Sequence, residues 1–187
     1  MSKRLTLVLG GVRAGKSSYA QRLAAKGKRV LFVATAEAGD AEMQARIETH
    51  RESRPSAWDT LEEPINLVAA LGSILHQYDT VLLDCLTLWV SNLLLEDQDA
   101  NSSRKDIPSE TQRLLELYRN AETSWIVVSN EVGLGVIPPT KLGRVFADEL
   151  GRANQLVAAE ADDVYFMAAG LPLELKPSNQ RGETSAG

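Results

Sequence analysis

Cysteine is nearly missing from this sequence: Cys85 is the only one among 187 residues. A lone thiol leaves no disulfide framework within the chain and fits a reducing cytoplasm. Histidine is almost as scarce, with His50 and His76 far apart. Such a set gives no spacing of Cys and His ligands for a metal centre. Basic excess is also lacking, since 20 Lys and Arg face 25 Asp and Glu, a formal net charge of −5. A general nucleic-acid partner is therefore not expected. No apolar run approaches the roughly 20 residues that cross a bilayer, so no membrane span is expected. The opening MSKRLTLVLGG has the charges of a signal peptide, but its apolar run stops at Gly10 and Gly11. It reads as a strand instead. No internal repeat and no second domain are visible. The chain reads as one domain over 1–176, with 177–187 as a disordered tail.

What is present is the composition of a globular chain, 44% apolar, with length for a sizeable core. Apolar runs of strand length recur at 5–9, 29–35, 80–85, 124–130 and 163–170, and PLELK at 172–176 adds a short edge strand. These runs are continuous rather than alternating, as in strands buried on both faces. Helical patterns separate them at 16–26, 40–54, 65–76, 86–95, 109–121 and 141–161, with Pro64 and Pro108 near helix starts. Alternation of strand and helix predicts an α/β protein with a mainly parallel sheet. The segment 96–109 has one aliphatic residue, Ile107, and reads as a loop or frayed helix end.

GGVRAGKS, comprising Gly10, Gly11, Val12, Arg13, Ala14, Gly15, Lys16 and Ser17, fits G-x-x-x-x-G-K-[ST] in full. It follows a predicted strand and opens a predicted helix, the context that gives the motif its meaning. Gly10 and Gly15 permit backbone conformations that side chains disfavour. Backbone amides then turn inward around a phosphate, and the helix start adds its positive dipole end. Lys16 reaches the β- and γ-phosphates and the Ser17 hydroxyl is a Mg²⁺ ligand. Asp84, ending the apolar run TVLLD, is the carboxylate that partners Ser17 at Mg²⁺, or equally an N-cap for the helix after it. Glu62 and Glu63 default to a surface loop. The cradle does not choose a reaction, because hydrolases, kinases and switches share it. The Asn-Lys-x-Asp pattern that reads guanine in GTPase switches is absent; SNEVG at 129–133 is no match.

His50 lies in RIETHRESRP. On the helix over 40–54, which Pro55 ends, it shares a face with Met43, Ile47 and Arg54, and Arg51 lies within one turn. Neighbouring cations lower an imidazole pKa, and a neutral imidazole can attack phosphorus. The helix C-terminus pulls the other way, toward imidazolium. From composition the alternative is a half-exposed histidine on an amphipathic helix. His76 has no such neighbours and reads as helix surface or cap.

Taken in order, LVLGGVRAGKSSYA, VATAEAGDAEMQARIETHRESRP, WDTLEEP, LLDCLTLWVSNLL, VSNEVGLGVIPP and GRANQLVAAEADDVYFMAAGLPLELK resemble the bifunctional adenosylcobinamide kinase/adenosylcobinamide-phosphate guanylyltransferase family of cobalamin biosynthesis. The resemblance spans residues 5–176 and rests chiefly on the His50 block and on SNEVG followed by GRANQ. It implies a three-layer P-loop NTPase fold of RecA type and a homotrimer. It also implies two reactions: phosphorylation of adenosylcobinamide by a nucleoside triphosphate, then transfer of GMP from GTP through a guanylylated His50 to adenosylcobinamide phosphate. ATP and GTP are the implied substrates, and the choice between them in the kinase step stays open. By motif position Thr35, Ala36, Glu37, Arg51, Glu52, Ser53, Arg54, Glu62 and Asp84 line the nucleotide site beside the phosphate loop. Val12 and Ala14 depart from the family's loop, though Ala14 keeps its amide. Thr49 stands where some members have a second histidine. Two rivals remain, a P-loop kinase without guanylyl transfer and an NTP-binding regulatory protein.

Overall fold

The computed structural model describes residues 3–37, 51, 55–96 and 106–176. The continuous apolar runs become seven strands: β1 (Leu5–Gly10), β2 (Val30–Ala34), β3 (Asp59–Glu62), β4 (Thr80–Asp84), β5 (Ser124–Val128), β6 (Asp163–Ala168) and β7 (Leu171–Lys176). The described helices are α1 (Lys16–Ala24), α2 (Leu67–Ile74), α3 (Leu86–Glu96), α4 (Ile107–Asn120) and α5 (Lys141–Glu160), with a 3-10 turn at Leu75–Gln77. All strands join one sheet in the order β3-β2-β4-β5-β1-β6-β7. β1 to β6 run parallel, and β7 returns antiparallel to β6.

Residue parity along these strands sorts side chains to two faces. Leu5, Leu7, Leu31, Val33, Val81, Leu83, Trp125 and Val127 pack with α2, α3, α4 and α5 in one cluster. Val8, Phe32, Ala34, Leu82, Ile126 and Val128 pack with Ala20 and Ala24 of α1 in another. Helices thus cover both faces, giving the three layers expected. The larger layer is held by apolar stripes at helical spacing. On α3 the buried apolar residues are Leu86, Trp89, Val90, Leu93 and Leu94. Each such side chain contributes roughly 1.5–3 kcal/mol when fully buried. Trp89 also satisfies its indole N–H by donating to Ile65 O at 2.9 Å.

The same parity fixes what meets at the strand ends. Ala34, Asp84 and Val128 are in register across β2, β4 and β5, and Val8 is in register with Val128. Gly10 and Asp84 each continue the run of residues on the α1 face. Glu62, next to the half-buried Leu61 that packs with the other cluster, also falls on the α1 face. One edge and one face of the sheet therefore collect the phosphate loop, Asp84 and Glu62.

Two sequence expectations change. β3 carries no apolar run, since Asp59, Thr60 and Glu62 are exposed; it forms by pairing Leu31–Ala34 with Asp59–Glu62 at the sheet edge. α4 begins at Ile107, two residues earlier than the sequence suggests, with Pro108 in its first turn, where a missing N–H costs nothing. The helix expected over 40–54 lies outside the described residues except for Arg51, which is helical. The loop 97–105 and the tail 177–187 also lie outside them.

Candidate phosphate-binding and transfer site

The loop joining β1 to α1 has the backbone its glycines foretell. Gly10 adopts φ 148° and Gly15 φ 92°, both in the region that favours glycine, and Arg13 joins them at φ 58°. A Cβ on Gly10 would stand 2.5 Å from Met167 O, so the loop also depends on close approach of β6. Ala14 N donates to Gly11 O at 3.3 Å, and Gly170 N donates to Ala14 O at 3.0 Å. The turn between β6 and β7, with positive φ at Ala169 and Gly170, thus buttresses the loop from outside. Sequence reasoning missed this support. Its only trace was a glycine before Leu-Pro at the end of an apolar run.

Lys16 is buried, and its Nζ donates to Gly11 O at 2.7 Å, so the ammonium is folded over the loop. Burial pushes its pKa below the ordinary lysine range, while the negative charge that Cys85 and Asp84 can carry pushes it back up. Burial and the neighbouring Asp84 lift the Cys85 thiol to about 12. Near neutral pH the thiol is uncharged, and Asp84 is the anion that acts on Lys16. Cys85 O accepts Trp89 N, which puts Cys85 rather than Asp84 in the N-cap position of α3. Asp84 is thereby left as the last strand residue, on the α1 face.

Val12 is exposed, and Ala14 is buried against the α1-face cluster. Gly11 is exposed and Ser17 half-buried in the first turn of α1. Thr35 is fully buried: its hydroxyl donates to Cys85 O at 2.7 Å and accepts from Cys85 N at 2.9 Å. Asn92 Nδ2 donates to Thr35 O and Pro64 O. Thr35 therefore locks the end of β2 to the end of β4, which positions Asp84. Ala36 is half-buried and Glu37 exposed at the same edge. Glu63 accepts from Ile65 N and Asn66 N and holds the approach to α2. Glu62 lies 3.9 Å from Arg51, both largely exposed. Such a pair contributes about 0–1 kcal/mol, so it tethers Arg51 weakly. His50, Glu52, Ser53 and Arg54 lie outside the described residues.

Among the described residues no three of His, Cys, Asp and Glu gather as a metal cage. The donor set fits Mg²⁺, which is held by one or two protein oxygens together with phosphates and water. Ser17, next to Lys16 at the start of α1, and Asp84, near enough to act on the charge of Lys16, offer oxygens of that kind.

The model of the family described as cobinamide kinase / cobinamide phosphate guanyltransferase matches residues 6–175. The chain is 47% identical over 171 residues to the bifunctional adenosylcobalamin biosynthesis protein CobP of Pseudomonas aeruginosa, covering 91% of this chain and 96% of that one. It is 36% identical over 180 residues to the bifunctional adenosylcobalamin biosynthesis protein CobU of Escherichia coli, covering 92% and 99%. A crystal structure of the RadB recombinase is similar with a TM-score of 0.48 and 17% identity, covering 87% of this chain and 73% of that one.

Proposed function

The chain belongs to the cobinamide kinase / cobinamide phosphate guanyltransferase family, and from that premise we propose how its residues share the two reactions. It is a bifunctional enzyme of adenosylcobalamin biosynthesis, a cobinamide kinase and a cobinamide phosphate guanylyltransferase. The match over 6–175 carries this conclusion, because it holds the phosphate loop, the His50 block and SNEVG on one chain. No helix among the described residues is long and apolar enough to cross a membrane. We place the enzyme in the cytoplasm as a homotrimer.

In the kinase step the amides of Gly11 to Ser17 hold the triphosphate of ATP or GTP. Lys16 moves from Gly11 O to the β- and γ-phosphates and offsets charge as it shifts. Ser17 and Asp84 would hold Mg²⁺, which would supply positive charge to offset that on the phosphate oxygens. The substrate hydroxyl forms a bond to Pγ, and the bond from Pγ to the β,γ-bridging oxygen breaks.

In the second reaction the His50 imidazole attacks Pα of GTP and pyrophosphate leaves. A phosphate oxygen of adenosylcobinamide phosphate then attacks the same phosphorus, and the N–P bond breaks. Covalent catalysis divides one difficult displacement into two. Arg51 and Arg54 neutralise the phosphoryl oxygens, with Glu52 and Ser53 between them. Thr35 to Glu37 follow the end of β2, whose last residue pairs with Glu62 of β3, and Glu62 lies next to Arg51.

The test uses GTP labelled at the α-phosphate, with Mg²⁺ and no corrinoid. Wild-type protein should keep the label after denaturation, lose it in acid and retain it in base, as an N–P bond does. His50→Ala should stay unlabelled. Label on the His50→Ala protein moves the nucleophile elsewhere, and no label on folded wild type removes His50 from the mechanism.

A further inference from the structure

SNEVG is a motif that neither reaction has yet used, and its backbone is held with unusual completeness. Trp125 N donates to Arg4 O, Ser129 N to Val8 O and Glu131 N to Gly10 O. That regular two-residue step extends the β1–β5 ladder past Val128, as far as the first residue of the phosphate loop. Asn130 lies inside this extension. Its N–H donates to Thr87 Oγ1 at 2.7 Å, and its C=O accepts from Asn154 Nδ2 at 3.1 Å. Thr87 and Asn154 are both buried. Thr87 comes from α3, just after Asp84 and Cys85, and Asn154 comes from α5, so two helices clamp one residue's peptide groups.

Parity then aims the side chain. Ile126 and Val128 pack on the α1 face, whereas Trp125 and Val127 pack on the other. Ser129 follows the second set, with its Oγ 3.3 Å from Thr87 Oγ1. Asn130 therefore emerges on the α1 face, half-buried, in the row between β4 and β1. Its neighbours there are Asp84, in register with Val128, and Gly10. Among the described residues its carboxamide has no hydrogen-bond partner, although its backbone N–H and C=O are both engaged. A rigid backbone presenting an uncommitted amide beside a phosphate loop is how an enzyme preorganises a donor for developing charge.

We propose that Asn130 is a catalytic residue of the kinase half-reaction, its carboxamide N–H donating to an oxygen of the γ-phosphoryl group and its carbonyl orienting the incoming hydroxyl. The transferred group comes between Lys16 and Asp84, and Asn130 stands on the β5 side of that space. As the hydroxyl oxygen bonds to Pγ, the bridging oxygen leaves with the electron pair as nucleoside diphosphate. The hydroxyl proton passes to a non-bridging oxygen of the transferred group. Asn130 changes no bond; it aligns the attack and stabilises the equatorial oxygens. Guanylyl transfer occurs at Pα, through His50, and does not need it.

This inference rests on reading Gly10–Ser17 as the cradle, so Lys16→Met is run beside the Asn130 variants. Asn130→Asp keeps the shape and loses the donor; Asn130→Ala removes both functions. Full-length proteins are assayed for phosphorylation of adenosylcobinamide and, separately, for labelling from α-labelled GTP. For both Asn130 variants kinase kcat should fall about 10²-fold, the usual loss for one such donor. KM for nucleotide and the extent of His50 labelling should stay within about twofold of wild type. Kinase kcat kept by Asn130→Asp overturns the inference. So does a parallel fall in both activities, which marks a structural role. Kinase activity kept by Lys16→Met overturns the cradle reading itself, a result separate from either.

Discussion

At Gly10 the chain combines a backbone angle that disfavours a side chain with a neighbour that leaves no room for one. Replacing it by alanine meets both obstacles, since Met167 O belongs to a β6 backbone that cannot easily move. Gly10→Ala should lower stability by about 1–3 kcal/mol, the usual cost of one strained backbone site, and weaken nucleotide binding with it. Urea unfolding and nucleotide titration read the two effects, and an unchanged midpoint would contradict the strain. Gly10, Gly15 and Lys16 were legible in the sequence because phosphate-loop chemistry is local, a turn of eight residues between a strand and a helix. Thr35 was named for the nucleotide site, but its burial against Cys85 was not legible, because that contact joins residues fifty positions apart. SNEVG stood out in the resemblance, but the clamping of Asn130 was not legible for the same reason: its holders, Thr87 and Asn154, come from two other elements.

At the scale of elements, apolar runs and caps decided most boundaries. β1, β2, β4, β5 and β6 fall where continuous apolar runs stand, since burial on both faces leaves an unmistakable pattern. β3 lacked that signal because an edge strand with exposed side chains is held by its ladder alone. The first strand is also pinned at the end remote from the site. Arg4 bonds both carboxylate oxygens of Asp163, at 2.6 Å and 3.1 Å, joining the starts of β1 and β6. Such a charged, two-bond contact is geometrically specific, yet the Arg4 side chain is 41% exposed, which limits its value. Asp163→Ala should therefore cost about 1–2 kcal/mol of stability while kinase kcat per folded molecule stays unchanged. Thermal unfolding and steady-state assays check this. A loss of kcat would mean that strain at this edge reaches the phosphate loop at the other.

For the whole molecule the exposed apolar side chains matter most. Leu171 and Leu173 on β7 are 72% and 59% exposed, and they pair with Ala168 and Phe166 of β6. An edge strand carrying such residues invites association. If the enzyme is a homotrimer that covers this ledge, sedimentation should report three chain masses for wild type. A Leu171→Glu and Leu173→Glu double variant should then sediment as a single chain while keeping its fold by circular dichroism. A double variant that stays trimeric places the interface on another surface.

The sequence by itself determined the α/β class, the phosphate cradle and the family, because these are written in local patterns: burial along a strand, a turn that needs glycine, and blocks in a fixed order. Tertiary structure alone decided which residues share the site. Strand order put β4 and β5 between β2 and β1, so Asp84 and Asn130 came to lie beside a loop more than sixty residues earlier in the chain. Side-chain parity then chose the face. No periodicity within one segment carries that information, since it is set by the pairing of strands that the chain brings together only on folding.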